Sequence, residues 1–196
     1  MPRLDIVTLP TDQRARLGAW LFIGSLVVFF LSSILLYGLY AWSRRDDPFR
    51  NTPLPHSFLA STGCLVVISL LLHFATRTVR RDRWKKTCWL LSVSTIVAIT
   101  FLVIQVLAMY QMLPSSVDGA GNGQGVGGMV VVLAFLHALH VAGGIIALGV
   151  VSVRASHGRY DHERHFAVDF TANYWHFLDI VWLVMLASFW ATTSGF

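Results

Sequence analysis

Charged residues are scarce in this sequence. Only 13% of its 196 residues are Asp, Glu, Lys or Arg, whereas a typical soluble domain carries about 25%. The few charges are gathered in short segments with long uncharged runs between them, and 55% of all residues are hydrophobic. This pattern excludes a soluble enzyme or binding domain and predicts an integral membrane protein.

Cysteine and strand-like alternation are scarce as well. The two cysteines, Cys64 and Cys88, fall near opposite ends of neighbouring predicted helices, so their separation in depth excludes a disulfide. We expect both to be packing residues. No segment alternates apolar and polar residues with period two, which excludes a membrane β-barrel.

Two features that suggest other functions have simpler explanations. The net charge of +5 does not indicate nucleic-acid binding, because the basic residues lie in short loops between apolar runs, as membrane topology requires. The glycine-rich segment 118–125 has neither the preceding strand nor the following Lys-Ser/Thr of a phosphate-binding loop, so we interpret it as a connector.

Residues 1–16 are polar and the first apolar run is long, so we expect no cleavable signal peptide.

Five apolar runs are long enough to cross a bilayer. Because lipid leaves no partner for free backbone groups, each run is predicted to be a helix. The expected fold is therefore all-α, a single transmembrane domain over residues 1–196 built as a bundle of five transmembrane helices. The predicted spans are residues 17–42, 58–75, 87–110, 129–153 and 170–192.

The loop charges predict the orientation of the bundle. Twelve of the fifteen Lys and Arg residues fall on one side of the membrane, and only Arg44, Arg45 and Arg50 fall on the other. Basic loops stay in the cytoplasm, so the N-terminus is predicted to be cytoplasmic and the C-terminus outside.

The last two spans contain a cluster of polar residues. His137 and His140 share one face of the fourth span, and His176 and Asp179 share one face of the fifth. Counting about 1.5 Å per residue from the span ends puts His140 and Asp179 at the same depth. We therefore predict a direct hydrogen-bonded pair between them, with His176 as the rival partner for Asp179.

Three interpretations of this cluster stay open from spacing alone. Two His on one helix with a His and an Asp on the next form a plausible metal-ligand set. Histidines in a membrane bundle also ligate haem. The third interpretation is structural, with polar groups that join helices or subunits.

Motifs in four of the five spans resemble subunit III of the haem-copper respiratory oxidases. The fifth span, with its approach, has His165-Phe166, Asp169 and then YWHFLDIVW from Tyr174, where the family reads H-F-x-x-E and YWHFVDVVW. The fourth span contains FLHALHV from Phe135, similar to the family's GFHGLHV. The third has FLVIQ from Phe101, and the first has LGAWLF from Leu17 followed by Ser25 and Phe29-Phe30.

The resemblance implies a short, five-helix form of a subunit without catalytic residues, haem or copper of its own. The family's subunit III packs on the catalytic subunit I, which holds the haem and copper, in a complex that also contains subunit II. It binds phospholipid, is implicated in oxygen access and helps to keep subunit I active. These properties favour the structural interpretation of His137, His140, His176 and Asp179.

Two further expectations concern lipid and location. Arg77 and Arg80 follow the second span, and we name them as candidates for binding a phospholipid headgroup, with Trp175 as a neighbour at the membrane interface. The expected location is a bacterial inner membrane.

Three positions depart from the family pattern. Leu26 replaces an intramembrane Glu, Ala108 stands where an acid is frequent, and Asp169 replaces a Glu. The change at Leu26 removes the basis for a proton-related role of that site. Two alternatives therefore stay open: an accessory subunit of a nitric oxide reductase, and an intramembrane metal- or haem-binding enzyme.

Overall fold

Five long helices make up the structure, which is a computed structural model. It describes residues 10–45, 56–81, 83–117, 126–157 and 166–192. The helices are α1 (Pro10–Ser43), α2 (Ser57–Val79), α3 (Trp84–Val117), α4 (Val126–Ser156) and α5 (Phe166–Thr192). The glycine-rich segment and the loop residues Arg50, Arg159, Arg164 and His165 lie outside the described residues.

The predicted all-α membrane fold is confirmed. Each helix contains a segment that is long and apolar enough to cross a membrane, and α2 is the shortest, as predicted. The helices run several residues beyond most predicted span ends. The reason is that the predicted spans count only the hydrocarbon layer, whereas helical hydrogen bonding continues into the polar layer at both surfaces.

The helices α2 to α5 form a closed ring. Each of these four packs against two others of the ring: α2 against α3 and α5, and α4 against α3 and α5. Helix α1 lies outside the ring, in the groove between α4 and α5. Most of its surface is therefore exposed, including a row of leucines: Leu17, Leu21, Leu31, Leu35, Leu36 and Leu39.

Three contacts show that neighbouring helices alternate in direction. Arg80 at the end of α2 forms an ion pair with Asp169 at the start of α5, at 3.0 Å. Ser92 near the start of α3 hydrogen-bonds Ser152 near the end of α4, at 3.1 Å. The Arg16 guanidinium lies 5.8 Å from the ring centre of Phe166. We call this end of the bundle the basic end.

Hydroxyl groups on the helices are largely satisfied by their own backbone. Ser32 donates to the carbonyl of Val28, and Thr100 donates to that of Ile96. The same pattern recurs at Ser33, Ser94, Thr95 and Ser188. Such bonds let a hydroxyl stay at the membrane-facing surface without an unsatisfied donor.

Candidate functional site

His137 lies at the centre of the bundle. Its side chain is fully buried, and its ring stacks on that of Trp182 with centroids 5.4 Å apart and planes 29° apart. Phe30 of α1 meets the same ring edge-on at 6.1 Å. Neither ring nitrogen of His137 has a hydrogen-bond partner among the described residues. The imidazole therefore serves as a packing element between α1, α4 and α5.

Trp182 links the four ring helices at this level. Its indole Nε1 donates to Thr62 Oγ1 of α2 at 3.0 Å. Its ring also meets Phe58 and Phe101 edge-on, at 5.3 and 6.3 Å. With His137 on α4, these contacts join α2, α3, α4 and α5 through one side chain.

His140 faces α1 rather than the centre. Its ring packs edge-on against Phe30 at 5.0 Å and at a tilt against Phe29 at 5.7 Å. Its Nδ1 lies 2.7 Å from the carbonyl oxygen of Leu136, one turn back on its own helix. Its own carbonyl accepts a hydrogen bond of 2.9 Å from the hydroxyl of Tyr174 on α5.

His176 and Asp179 face the other way, toward α2. His176 Nδ1 lies 2.7 Å from the hydroxyl of Ser69. Both carboxyl oxygens of Asp179 are covered. Ser69 lies close to that carboxyl group, but neither carboxyl oxygen makes a hydrogen bond to a described residue. Together with Thr62, these residues line a groove of about 350 Å³ between α2 and α5.

The predicted direct pair of His140 and Asp179 is therefore wrong, and His176 is not the partner of Asp179 either. Depth counting gave the height of each residue but not the direction in which it points. His140 points toward α1, whereas Asp179 points toward α2. The predicted polar cluster is thus divided between two helix contacts, with His137 and His140 in one and His176 and Asp179 in the other.

Helices α4 and α5 approach each other closely at Gly144. A Cβ atom there would lie 3.0 Å from a ring carbon of Tyr174 and 3.3 Å from two ring carbons of Trp175. Trp175 is fully buried in this contact. Its predicted place beside a phospholipid headgroup at the membrane interface stays a prediction. Because Gly144 has no side chain, the indole of Trp175 has room to pack against α4. Ala134 and Ala138, one turn apart on α4, are also buried.

The two lipid candidates differ in their surroundings. Arg77 and Arg80 are both exposed near the basic end. Arg80 donates to a carboxyl oxygen of Asp169, so part of its charge is compensated within the chain. Headgroup binding by these arginines stays a prediction.

Two of the three departures from the family pattern, Leu26 and Ala108, lie in the interior. Leu26 on α1 is buried in the core, and Ala108 is fully buried on α3. Gln105, also fully buried, has no side-chain partner among the described residues. Cys64 and Cys88 are both free thiols, and Cys64 packs against the core.

Sequence reasoning missed the contribution of α2. Ser69 and Thr62 supply the hydroxyl partners of His176 and Trp182. The available signal was spacing, since Ser69 and His73 lie one turn apart on one face of an otherwise apolar helix.

Across the described residues, no three His, Cys, Asp or Glu side chains come together as a group that could hold a metal ion.

Comparison with known proteins identifies the family. The family described as cytochrome c oxidase subunit III matches residues 47–193, which is most of the chain. The chain belongs to this family. Cytochrome c oxidase subunit 3 of Latimeria chalumnae is 29% identical over 191 residues, and that of Cyprinus carpio is 28% identical over the same length. Each alignment covers 92% of this chain and 70% of the relative.

Family membership confirms the resemblance inferred from the motifs. Together with the five apolar helices, it makes the chain a multi-pass membrane protein of the oxidase subunit III family in the respiratory chain. It also gives the polar groups of the bundle a context. In such a subunit, helices must hold both to one another and to neighbouring subunits.

Proposed function

We propose that this chain is a non-catalytic subunit of a respiratory terminal oxidase that packs on the catalytic subunit I and stabilises it for oxygen reduction. The observation that carries the proposal is the family match over residues 47–193. The distribution of polar groups supports it, because His137, His140 and His176 are each used in contacts between helices. Such contacts serve assembly rather than chemistry.

The proposal includes partners and cofactors. Subunit I would hold the haem and copper, and this chain would hold none. Subunit II and phospholipid would complete the complex, with Arg77 and Arg80 as the headgroup candidates. The positive-inside rule supports a cytoplasmic N-terminus, and a bacterial inner membrane is the proposed location.

Deletion and complementation test the proposal. Removing this chain should lower the oxygen consumption that the oxidase supports and the amount of assembled catalytic subunit, and re-expression of the tagged chain should restore both. The tagged chain should also co-purify a haem- and copper-containing subunit. Wild-type oxidase assembly and respiration without the chain, and no co-purifying catalytic subunit, would contradict the proposal.

Elemental analysis separates the proposal from an intramembrane metal- or haem-binding enzyme. The isolated chain should contain no stoichiometric iron, copper or zinc. About one metal ion per chain, lost in His137→Ala or His140→Ala, would favour the enzyme instead.

An accessory role in a nitric oxide reductase is the second candidate. The observation in its favour is Leu26, an apolar core residue where the family has an intramembrane Glu. Mass spectrometry of the largest co-purifying subunit decides between the two, because it identifies the catalytic subunit directly.

A further inference from the structure

Two polar side chains inside the bundle have no polar partner. Gln105 of α3 and His137 of α4 are both fully buried. Neither the amide nitrogen and oxygen of Gln105 nor the two ring nitrogens of His137 make a hydrogen bond to a described residue. A buried polar atom without a hydrogen bond is unfavourable, so four such atoms in one protein interior require an explanation.

The helix contacts put these two side chains at the same height in the bundle. The hydrogen bond between Ser92 and Ser152 fixes the register of α3 against α4. Counted from this bond, forward along α3 and backward along α4, Gln105 and His137 are reached after equal numbers of residues, to within two. Two residues correspond to a difference in height of about 3 Å. The two side chains therefore belong to one layer of the interior.

Ser61 of α2 lies in the same layer. The hydrogen bond of 2.9 Å from Thr87 to Thr78 fixes the register of α3 against α2. Equal counts from this bond lead to Gln105 on α3 and to Ser61 on α2, to within one residue. Ser61 is fully buried and donates its hydroxyl to the carbonyl of Phe58 on its own helix, so its oxygen can still accept a hydrogen bond. We call this serine, Gln105 and His137 the interior polar layer.

Trp182 provides independent evidence for this layer. Its ring stacks on that of His137 and meets Phe101 edge-on, one turn before Gln105 on α3. Its indole Nε1 donates to Thr62, which is next in sequence to the serine of the layer. One indole thus contacts α2, α3 and α4 close to the three positions that carry the polar side chains.

We propose that the interior polar layer binds water inside the ring of helices. A buried water both donates and accepts, and it typically makes about three hydrogen bonds. The ring nitrogens of His137, the amide of Gln105 and the oxygen of Ser61 offer both donors and acceptors for it. A direct bond between Gln105 and His137 is the alternative. The two side chains as packed do not form that bond, whereas a water bridges groups that are too far apart for a direct contact.

X-ray radiolysis tests for the water. X-rays convert water to hydroxyl radicals, which oxidise the side chains beside which they form. Trp182 is fully buried, so radicals from bulk solvent do not reach it, whereas water in the interior polar layer would produce them within reach. Mass spectrometry of the irradiated wild-type chain should find Trp182 oxidised, and the oxidation should fall several-fold in the double variant Gln105→Leu/His137→Phe. No oxidation in the wild type, or equal oxidation in both proteins, would overturn the proposal.

Thermal unfolding tests whether the two side chains share the water. Gln105→Leu and His137→Phe should each lower the Tm, because each leaves the remaining polar side chain and the water with fewer partners. The double variant removes both polar groups, so its Tm should be no lower than that of either single variant. Additive losses of Tm, or a double variant that does not fold, would overturn the shared site.

Gln111→Leu is the matched control, because it makes the same substitution at an exposed position of α3. Its effect on the Tm should add to that of His137→Phe, as expected for independent sites. A double variant of Gln105 and His137 that restores the Tm, together with a wild-type Trp182 that stays unoxidised, would indicate a direct bond between the two side chains. That result would overturn the water site.

Discussion

At the residue scale, Gly144 has less space around it than the other glycines compared with it on the described helices. A larger side chain there would collide with the rings of Tyr174 and Trp175, whereas nothing lies within 4 Å of a Cβ built at the neighbouring Gly143. Gly144→Leu should therefore destabilise the chain by about 1–3 kcal/mol, the usual cost of overpacking.

Gly143→Leu is the matched control, because it adds the same side chain one residue away on the exposed side of the helix. Unfolding both variants by SDS titration in mixed micelles gives the comparison. Equal stabilities of the two variants would show that the α4–α5 contact is not closest at Gly144.

The hydrogen bond between Trp182 and Thr62 allows a second test at this scale. Its length is 3.0 Å, and it connects α5 with α2 at the level of His137. In a double-mutant cycle, Trp182→Phe and Thr62→Val should show a coupling free energy of about 0.6 kcal/mol, the average for side-chain bonds between membrane helices. A coupling indistinguishable from zero would contradict a bond that contributes to stability.

At the element scale, α1 is attached least firmly. Among the described residues it packs mainly against α4 and α5. Its aromatic contacts are Phe22 on Tyr174, Phe30 on His137, His140 and Phe177, and Tyr37 on Phe189. The Tyr37 hydroxyl also hydrogen-bonds the Thr192 hydroxyl at the far end of the bundle. The other four helices close a ring, so opening any of them breaks contacts on two sides.

Hydrogen exchange should reflect this difference. In detergent, the amides of α1 should exchange faster than those of α4 and α5, because local opening is easiest where packing is least. Phe30→Ala should accelerate exchange in α1 further, since Phe30 is almost fully buried against the two histidines. Leu35→Ala, at a position 65% exposed, is the control and should have no such effect. Uniform exchange across the five helices would contradict the prediction.

The helices were predictable from the sequence because the pattern of residues along the chain is enough to determine a membrane helix. Uninterrupted apolar runs specify a membrane helix without reference to its neighbours, so all five helices were predicted correctly. Depth along a helix is also one-dimensional, but partner choice depends on rotation about the axis. That is why His140 and Asp179 were matched in height and yet face different helices.

Trp175 and Ser69 show the same limit. The contact of Trp175 with Gly144 on the neighbouring helix depends on rotation about the helix axes, so only packing reveals that the two residues meet. Ser69 was missed because its spacing from His73 does not show that His176 of another helix lies beside it.

At the scale of the whole molecule, alternating helix directions gather the basic residues at one end. The contacts of Arg80 with Asp169 and of Arg16 with Phe166 lie at that end. Twelve of the fifteen Lys and Arg residues belong to it or to its loops in the sequence. Because cytoplasmic loops retain basic residues, this end should lie in the cytoplasm.

Reporter fusions test this orientation. Alkaline phosphatase, which is active only outside the cytoplasm, should be active when fused after Phe196, because five spans carry the chain across the membrane five times. The same reporter fused after His157, between α4 and α5, should be inactive, since four spans return the chain to the side on which it began. Activity of the His157 fusion together with inactivity of the Phe196 fusion would show that the bundle is inserted in the opposite orientation. The structure would be unaffected, but the charge asymmetry would then have failed as a guide to this chain.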